Sequence, residues 1–371
     1  MREIRVAIAG VGNCASSLIQ GVEYYKDAKS EDTIPGLMHT KFGRYHIKDI
    51  KFVAAFDINA HKVGKDLSEA IFTEPNCTVK FSEVPKVGVE VHKAPVMDGI
   101  GKYLKDVIPV NNSQKPVDVA KAMEKAQVDV LINYLPVGSA MATRYFAQAA
   151  IDAGAGFVNC IPEFIASDNE WAQKFTRAGL PVAGDDIKSQ VGATILHRAL
   201  VQLLKDRGVK VEETYQLNIG GNTDFKNMLQ ESRVKSKRIS KTEAVTSMVD
   251  YEVPTRIGPS DYVPFLNDNK QAFIYVKGRK FGDIPLTIQV HLSVEDSPNS
   301  AGVAVDAIRA TKMALDNNIK GSLEGVSAYL FKHPSRQYPD ALAREMVETF
   351  IKETPTRKST EENHLKSIST H

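Results

Sequence analysis

The sequence predicts an α/β fold, a doubly wound parallel sheet joined to a second, α+β lobe. Three observations predict it. Short apolar runs alternate with helical patterns over the first 200 residues, and a glycine-bearing loop joins the first run to the first helix. From about Val209 longer strand-like runs replace that alternation. A chain of 371 residues suits two lobes sharing a large core better than one minimal domain.

Ile4-Arg5-Val6-Ala7-Ile8-Ala9 reads as a buried strand, after which Leu18, Ile19, Val22 and Tyr25 recur at helical spacing. A polar stretch over about 26–48, with Pro35-Gly36, reads as an insertion. Phe52 to Asp57 is the next strand and ends on a carboxylate. Residues 62–71 read as a helix, and 75–116 show no clean period. Val117 to Lys125 is helical, Val128 to Asn133 a strand, and Ala140 to Ala153 an alanine-rich helix. Phe157-Val158-Asn159 and Leu180 to Ala183 are short strands, and Ile195, Leu196, Ala199, Leu200 and Leu203 share one helical face.

In the second lobe Glu213 to Ile219, Ala272 to Lys277 and Leu286 to Val294 read as strands of another sheet. Ser240-Lys241-Thr242-Glu243 has the pattern of a capping box, which predicts a helix starting there. Gly302 to Asn317 and Asp340 to Lys352 are helical, the latter with Leu342, Met346 and Phe350 on one face. Residues 353–371 are polar and aperiodic and read as a disordered tail. The expected division is 1–200 completed by helices within 300–352, then 201–299 as a catalytic and oligomerisation domain.

The bulk composition excludes several classes. With 47 basic and 45 acidic side chains the net charge is only +2, which gives no electrostatic case for a nucleic-acid binder. Cys14, Cys77 and Cys160 are odd in number and widely spaced, so neither a disulfide scaffold nor a zinc ribbon is expected, and a reducing cytoplasm fits. The N-terminus runs straight into a strand rather than a signal-peptide core, and no apolar run approaches the roughly 20 residues that cross a bilayer. A soluble cytoplasmic protein without a membrane partner is the expectation.

The loop Gly10-Val11-Gly12-Asn13-Cys14-Ala15 carries the strongest signal. Its first glycine permits a tight turn, the second lets backbone approach a pyrophosphate, and the small third residue packs helix on strand. Amides at the helix N-terminus then hold the phosphates. This pattern predicts a Rossmann-like dinucleotide site. Asp57, ending the next strand, can bond both adenosine ribose hydroxyls and disfavours a 2′-phosphate, which selects NAD over NADP. The spacing exceeds the usual ~20 residues, and the insertion accounts for the excess. A carboxylate that merely caps the strand beside the glycine turn is the alternative.

Three further strand ends, Asn133, Asn159 and Gly184-Asp185-Asp186, point to the same rim, where ligands of such sheets bind. In Gly184-Asp185-Asp186-Ile187-Lys188-Ser189 two carboxylates and an ammonium crowd into one strand-to-helix turn. Lys188 there can donate a proton to a carbonyl or alkoxide, its pKa set by the aspartates and by burial. A charged surface turn fits the residues equally well.

Taken together, Gly10-x-Gly-Asn-Cys-Ala-Ser, Asn133-Tyr-Leu-Pro, Asn159-Cys-Ile-Pro-Glu, Gly184-Asp-Asp-Ile-Lys-Ser and Lys235-Ser-Lys-Arg-Ile-Ser-Lys241 resemble the inositol-1-phosphate synthase family, short prokaryotic type. The likeness spans nearly the whole chain except the tail. It implies conversion of D-glucose 6-phosphate to 1D-myo-inositol 3-phosphate, a step toward inositol phospholipids, by internal oxidation at C5, aldol closure between C6 and C1, and reduction. NAD would be regenerated within each turnover. Three developing oxyanions need nearby cations. The resemblance assigns Lys188, Lys237 and Lys332 to them and, more loosely, Asp261 beside the nicotinamide.

It also implies that Asn133, Leu135, Asn159, Asp185 and Asp296 border the cofactor, and that the chain is a homotetramer. On the residues alone, Lys237 reads as part of a solvated basic face and Lys332 as a helix-end cation. Gly192 stands where eukaryotic members carry a second lysine, so substrate phosphate must rely on Ser139, Lys241 or a metal. Members differ in needing a divalent metal or a monovalent cation, and no ligand spacing here selects between them. An ordinary NAD-dependent dehydrogenase with net hydride transfer and a non-enzymatic NAD-binding regulator are the competing readings.

Overall fold

The computed structural model describes residues 2–29 and 33–354. In chain order the first lobe holds β1 (Ile4–Ala9), α1 (Asn13–Tyr24), β2 (Lys41–Phe42), β3 (Tyr45–His46), β4 (Ile50–Asp57), α2 (Leu67–Ala70), β5 (Val91–Lys93), α3 (Val119–Lys125), β6 (Val130–Asn133), α4 (Ala140–Asp152), β7 (Gly156–Asn159), α5 (Asn169–Ala178) and β8 (Pro181–Ala183). The second lobe holds α6 (Ala193–Asp206), β9 (Lys210–Gly220), α7 (Thr223–Met228), α8 (Lys235–Thr246), β10 (Thr255–Tyr262), β11 (Asn269–Lys280) and β12 (Ile284–Glu295). The chain then returns through α9 (Asp296–Asp316), β13 (Gly321–Ser322), α10 (Glu324–Leu330) and α11 (Asp340–Glu353).

The first sheet runs β13-β8-β7-β6-β1-β4-β5, and every pairing in it is parallel. Alternation along β1 sorts its side chains between two cores. Ile4, Val6 and Ile8 pack with α1, α9 and α10, whereas Ala7 and Ala9 face α3 and α4. Helices on both faces explain why these strands are mostly apolar rather than alternating, the charged Arg5 and Lys51 falling near the strand starts. The chain leaves β1 toward β4 and β5, then crosses back to β6 and continues the other way. The crevice between the carboxyl ends of β1 and β6 is therefore the topological switch point.

The second sheet, β10-β9-β11-β12, is mixed: β9 and β10 are parallel, and β11 is antiparallel to both its neighbours. Its inner face (Val209, Val211, Ile257, Ile274, Val276) packs on Val201, Leu204, Val245 and Met248 of α6, α8 and the turn after α8. The boundary expected at residue 200 falls inside α6, whose buried stripe belongs to this lobe. The outer face leaves Tyr215, Leu217 and Phe273 exposed.

Several local expectations need correction. Residues 62–71 are not one helix: Gly64 takes φ +88°, and Asp66 caps the four-residue α2 by accepting from Ser68 N. The capping-box pattern at Ser240 lies in the middle of α8, which starts five residues earlier at Lys235, because Ser240 bonds Asp186 instead of its own backbone. Helix α9 begins at Asp296, not 302. On α11 the buried residues are Ala343 and Val347, while Leu342 is exposed. Strand β10, α5 and α10 are not among the elements expected from the sequence. Of the proposed tail, Glu353 is helical and 355–371 lie outside the described residues.

Candidate active site

A cavity opens at the switch point, with the glycine loop at one end and a group of lysines at the other. Gly10 sits at φ +91°, and a Cβ there would come 2.8 Å from Tyr134 O on the crossing strand's exit, so only glycine fits. Gly12 faces open space: a Cβ on it meets nothing within 4 Å. The amides of Gly12, Asn13 and Cys14 have no acceptor among the described residues, as at any uncapped helix start. Ala15 is fully buried and packs α1 on the sheet, as its small size suggested.

Asp57 ends β4 beside the glycine loop, as the sequence predicts. It lines the cavity, and its carboxylate also pins the loop, Oδ2 accepting from Val11 N at 2.8 Å and Oδ1 from Ile58 N and Asn59 N at 2.7 and 2.8 Å. Asn13 and Cys14 border the same space. Burial pushes the Cys14 thiol up to about 12, so it serves packing beside Ser297 and Ser300 and not nucleophilic chemistry. Leu135 lines the cavity.

Asn133, Asn159 and Asp185 do not. Asn133 Nδ2 donates to Asn159 Oδ1 at 2.9 Å, Asn159 Nδ2 donates to Asp185 Oδ1 at 2.7 Å, and all three are fully buried. Asp185 further accepts from the amides of Ile165, Ala166 and Ser167. These side chains fasten three strand ends together beneath the site. They are corrected from cofactor contacts to supports.

At the other end stand Lys237, Lys241, Lys270 and Lys332 with Asp186, Asp224 and Asp296. Three pairs form: Lys332–Asp186 at 2.9 Å, Lys237–Asp224 at 2.5 Å and Lys270–Asp296 at 3.4 Å. Lys241 makes no ion pair or hydrogen bond among the described residues, although it is only 7% exposed. Burial, then the ammonium groups of Lys237, Lys270 and Lys332, hold its pKa well below the ordinary lysine value. For Lys237 burial works downward, but Asp224 and Asp186 outweigh it and raise the pKa. Burial would raise Asp186, yet Lys332 and Lys237 keep it low; Lys270, Lys237 and Lys332 do the same for Asp296.

Asp186 occupies the left-handed region at φ +60°, costly for a side chain and typical of strain held at a functional site. Next to Asp296, whose amide donates to its carbonyl, Asp268 is buried, accepts from Asn222 Nδ2 and from the amide and hydroxyl of Ser297, and is pushed up to about 6 by burial and by Asp296.

Lys188 does not join this group. Residues 185–188 exchange backbone hydrogen bonds with 330–333, and Asp186, Ile187 and Ser189 line the cavity, whereas Lys188 does not. Its Nζ donates to Ala328 O at 2.8 Å and Asp340 Oδ1 at 3.1 Å, and Asp340 Oδ2 accepts from the buried Arg198 at 2.8 Å. Burial lowers Lys188 to about 8.

Two more assignments are corrected. Asp261 lies exposed on β10, accepting from Tyr262 N, and does not line the cavity. Ser139, expected to help hold phosphate, is buried and donates to Pro136 O, and the nearby α4 amides Met141 N and Ala142 N donate to the Asp98 carboxylate at 2.7 and 2.9 Å. Residues that the sequence did not single out include Lys62, Asn76, Asp224 and Lys270, none of which lies in a recognisable motif. Among the described residues no group of three His, Cys, Asp or Glu side chains could hold a metal ion.

Comparison with known proteins decides what this geometry belongs to. The chain is 56% identical to an inositol-3-phosphate synthase of Mycolicibacterium smegmatis, over 94% of this chain and 98% of that protein. The chain belongs to the inositol-3-phosphate synthase family. The inositol-3-phosphate synthase of Corynebacterium glutamicum is 55% identical over the same shares. A family model described as myo-inositol-1-phosphate synthase matches residues 192–297. Among solved structures, a myo-inositol-1-phosphate synthase-related protein from Thermotoga maritima superposes with TM-score 0.79 at 25% identity, covering 95% of this chain and 100% of that one. Within this synthase family fold, residues 192–297 are the segment that supplies Lys237, Lys241, Lys270 and Asp296 to the cavity.

Proposed function

We propose that this chain converts D-glucose 6-phosphate to 1D-myo-inositol 3-phosphate, with NAD consumed and regenerated inside one turnover. The observation that carries the reading is a single cavity joining the glycine-loop amides to a lysine cluster with one unpaired ammonium. The loop fits a dinucleotide: three amides lack acceptors among the described residues, and Gly12 leaves open space beside them. Bound NAD supplies hydride acceptance from C5 of the sugar and hydride return at the end.

The protein's own residues then have three tasks. Lys241 binds the substrate phosphate, because it alone in the cluster lacks a counter-ion. Lys332 and Lys237 stabilise the oxygens that become anionic when the C5 carbonyl enolises and when C6 attacks C1. Their carboxylate partners Asp186 and Asp224 are the groups able to take and return protons at those positions. Lys188 acts from behind, fixing the 184–189 segment through Asp340. The exposed outer face of the second sheet supports assembly into a homotetramer, and a cytoplasmic location accords with reduced, unpaired Cys14, Cys77 and Cys160. No step is assigned to a metal.

Incubating the purified protein with glucose 6-phosphate and NAD⁺ tests the activity. Inositol phosphate should form with no net NADH. Accumulating NADH in proportion to sugar consumed would establish a dehydrogenase instead.

A further inference from the structure

The peptide joining Val11 to Gly12 is gripped from outside the glycine loop. Val11 O accepts from Lys62 Nζ at 2.6 Å and from Asn76 Nδ2 at 3.3 Å. Lys62 Nζ also donates to Asn76 Oδ1 at 2.7 Å, and Asn76 Nδ2 reaches Ile71 O at 2.9 Å. Since Val11 N donates to Asp57, both polar backbone atoms of Val11 are fixed. Lys62 is 3% exposed and arises from the turn after β4, which is itself held by Lys62 N to Asn59 O and Gly64 N to Val91 O.

A trans peptide is planar, with its C=O and N–H pointing in opposite directions. Anchoring the Val11 carbonyl on Lys62 and Asn76 therefore turns the Gly12 N–H the other way. That amide has no acceptor among the described residues. Gly12 has no Cβ, so the preceding peptide can rotate at little steric cost unless something outside the loop holds it. Rotated, it would present a carbonyl oxygen to an incoming anion in place of an N–H. An ammonium is suited to the task because a charge-assisted bond to a carbonyl is stronger than a neutral one.

We infer that Lys62, assisted by Asn76, is a positioning residue for the cofactor: it locks the Val11–Gly12 peptide with the Gly12 amide hydrogen facing the dinucleotide pyrophosphate. This rests on the assignment of NAD to the glycine loop. The mechanism makes no other use of Lys62, and its ammonium is committed to the backbone, not to the sugar.

Calorimetric titration of NAD⁺ into the full-length protein tests it, with K62M, K62R, N76A and K65M as variants. Wild type should bind NAD⁺; if it does not, the cofactor assignment itself fails and this inference with it. Given wild-type binding, K62M should weaken Kd by about 10- to 100-fold, the usual cost of a lost charge-assisted hydrogen bond. K62R, which keeps a donor, should recover most of that. N76A, which leaves Lys62 in place, should weaken Kd by about 3- to 10-fold, the loss of one neutral bond. K65M removes an exposed ammonium three residues away and should bind as wild type. Unchanged affinity in both K62M and N76A would overturn the inference. So would a loss in K65M equal to that in K62M, since general positive charge and not a clamped peptide would then be responsible. Should K62M fail to fold, K62R and N76A alone decide.

Discussion

The two ends of the cavity are built in opposite ways. At the glycine loop the chemistry is backbone: amides of consecutive residues converge because one local turn, with Gly10 at φ +91°, leaves them no alternative. At the lysine end the chemistry is side chain: Lys237 and Lys241 on α8, Lys270 on β11 and Lys332 after α10 meet from three separate elements. A backbone site is written into a few adjacent letters. A side-chain site depends on which way each residue faces, and a one-position change in an extended segment reverses that. Lys188 and Ser189 are neighbours in one motif, yet Ser189 lines the cavity and Lys188 turns to Asp340.

The sharpest way to break the contrast is at the lysine end. K332M should cost about 3–5 kcal/mol of stability, because it leaves Asp186 buried without its ion-pair partner. Urea denaturation measures this, and a loss below 1 kcal/mol would show that the pair does not organise the site.

K241M should lower kcat/KM for glucose 6-phosphate by about 100-fold, while raising the melting temperature, since it removes a buried ammonium without a counter-ion. Opposite signs for activity and stability mark a group held for function. The same lysine predicts proton uptake. Its pKa is depressed in the free protein, a phosphate dianion raises it, and so binding takes up protons at pH values between the two. Calorimetry in buffers of different ionisation enthalpy would detect the uptake, and K241M should abolish it.

D340N should be milder, about 2 kcal/mol, as it leaves Lys188 and Arg198 with a neutral partner. Its pH signature has a definite sign. The folded pKa of Lys188, about 8, lies below the ordinary 10.5, so this group makes stability rise with pH across that interval. Removing the Asp340 charge lowers Lys188 further, and the rise should begin below pH 8 in the variant. Thermal melts across pH would show it. Smallest of all is D261N. Exposed and outside the cavity, it should leave stability within about 0.5 kcal/mol and turnover unchanged within error.

The parallel sheet, its helices and the glycine loop were legible because each is a local pattern: a run of Ile4 to Ala9, a turn of glycines, an alanine-rich helix. Helix α5 is short and mostly polar, its apolar stripe reduced to Trp171, Phe175 and Ala178. Strand β10 was hidden by Gly258-Pro259 within it. The capping box at Ser240 misled because the same residue types serve tertiary bonds, here to Asp186.

By itself the sequence determined the fold class, the position of the glycine loop and the family, since these reside in spacing and in runs of adjacent residues. Only the tertiary structure decided which motif residues enter the cavity. It turned Lys188 toward Asp340, sank Asn133, Asn159 and Asp185 into a supporting chain, and filled the α4 N-terminus with Asp98. It also brought Lys62 and Asn76 to the Val11 carbonyl. The physical reason is common to all four: a side chain goes where a buried charge or polar group can be compensated, and the compensating partner lies far away in the chain.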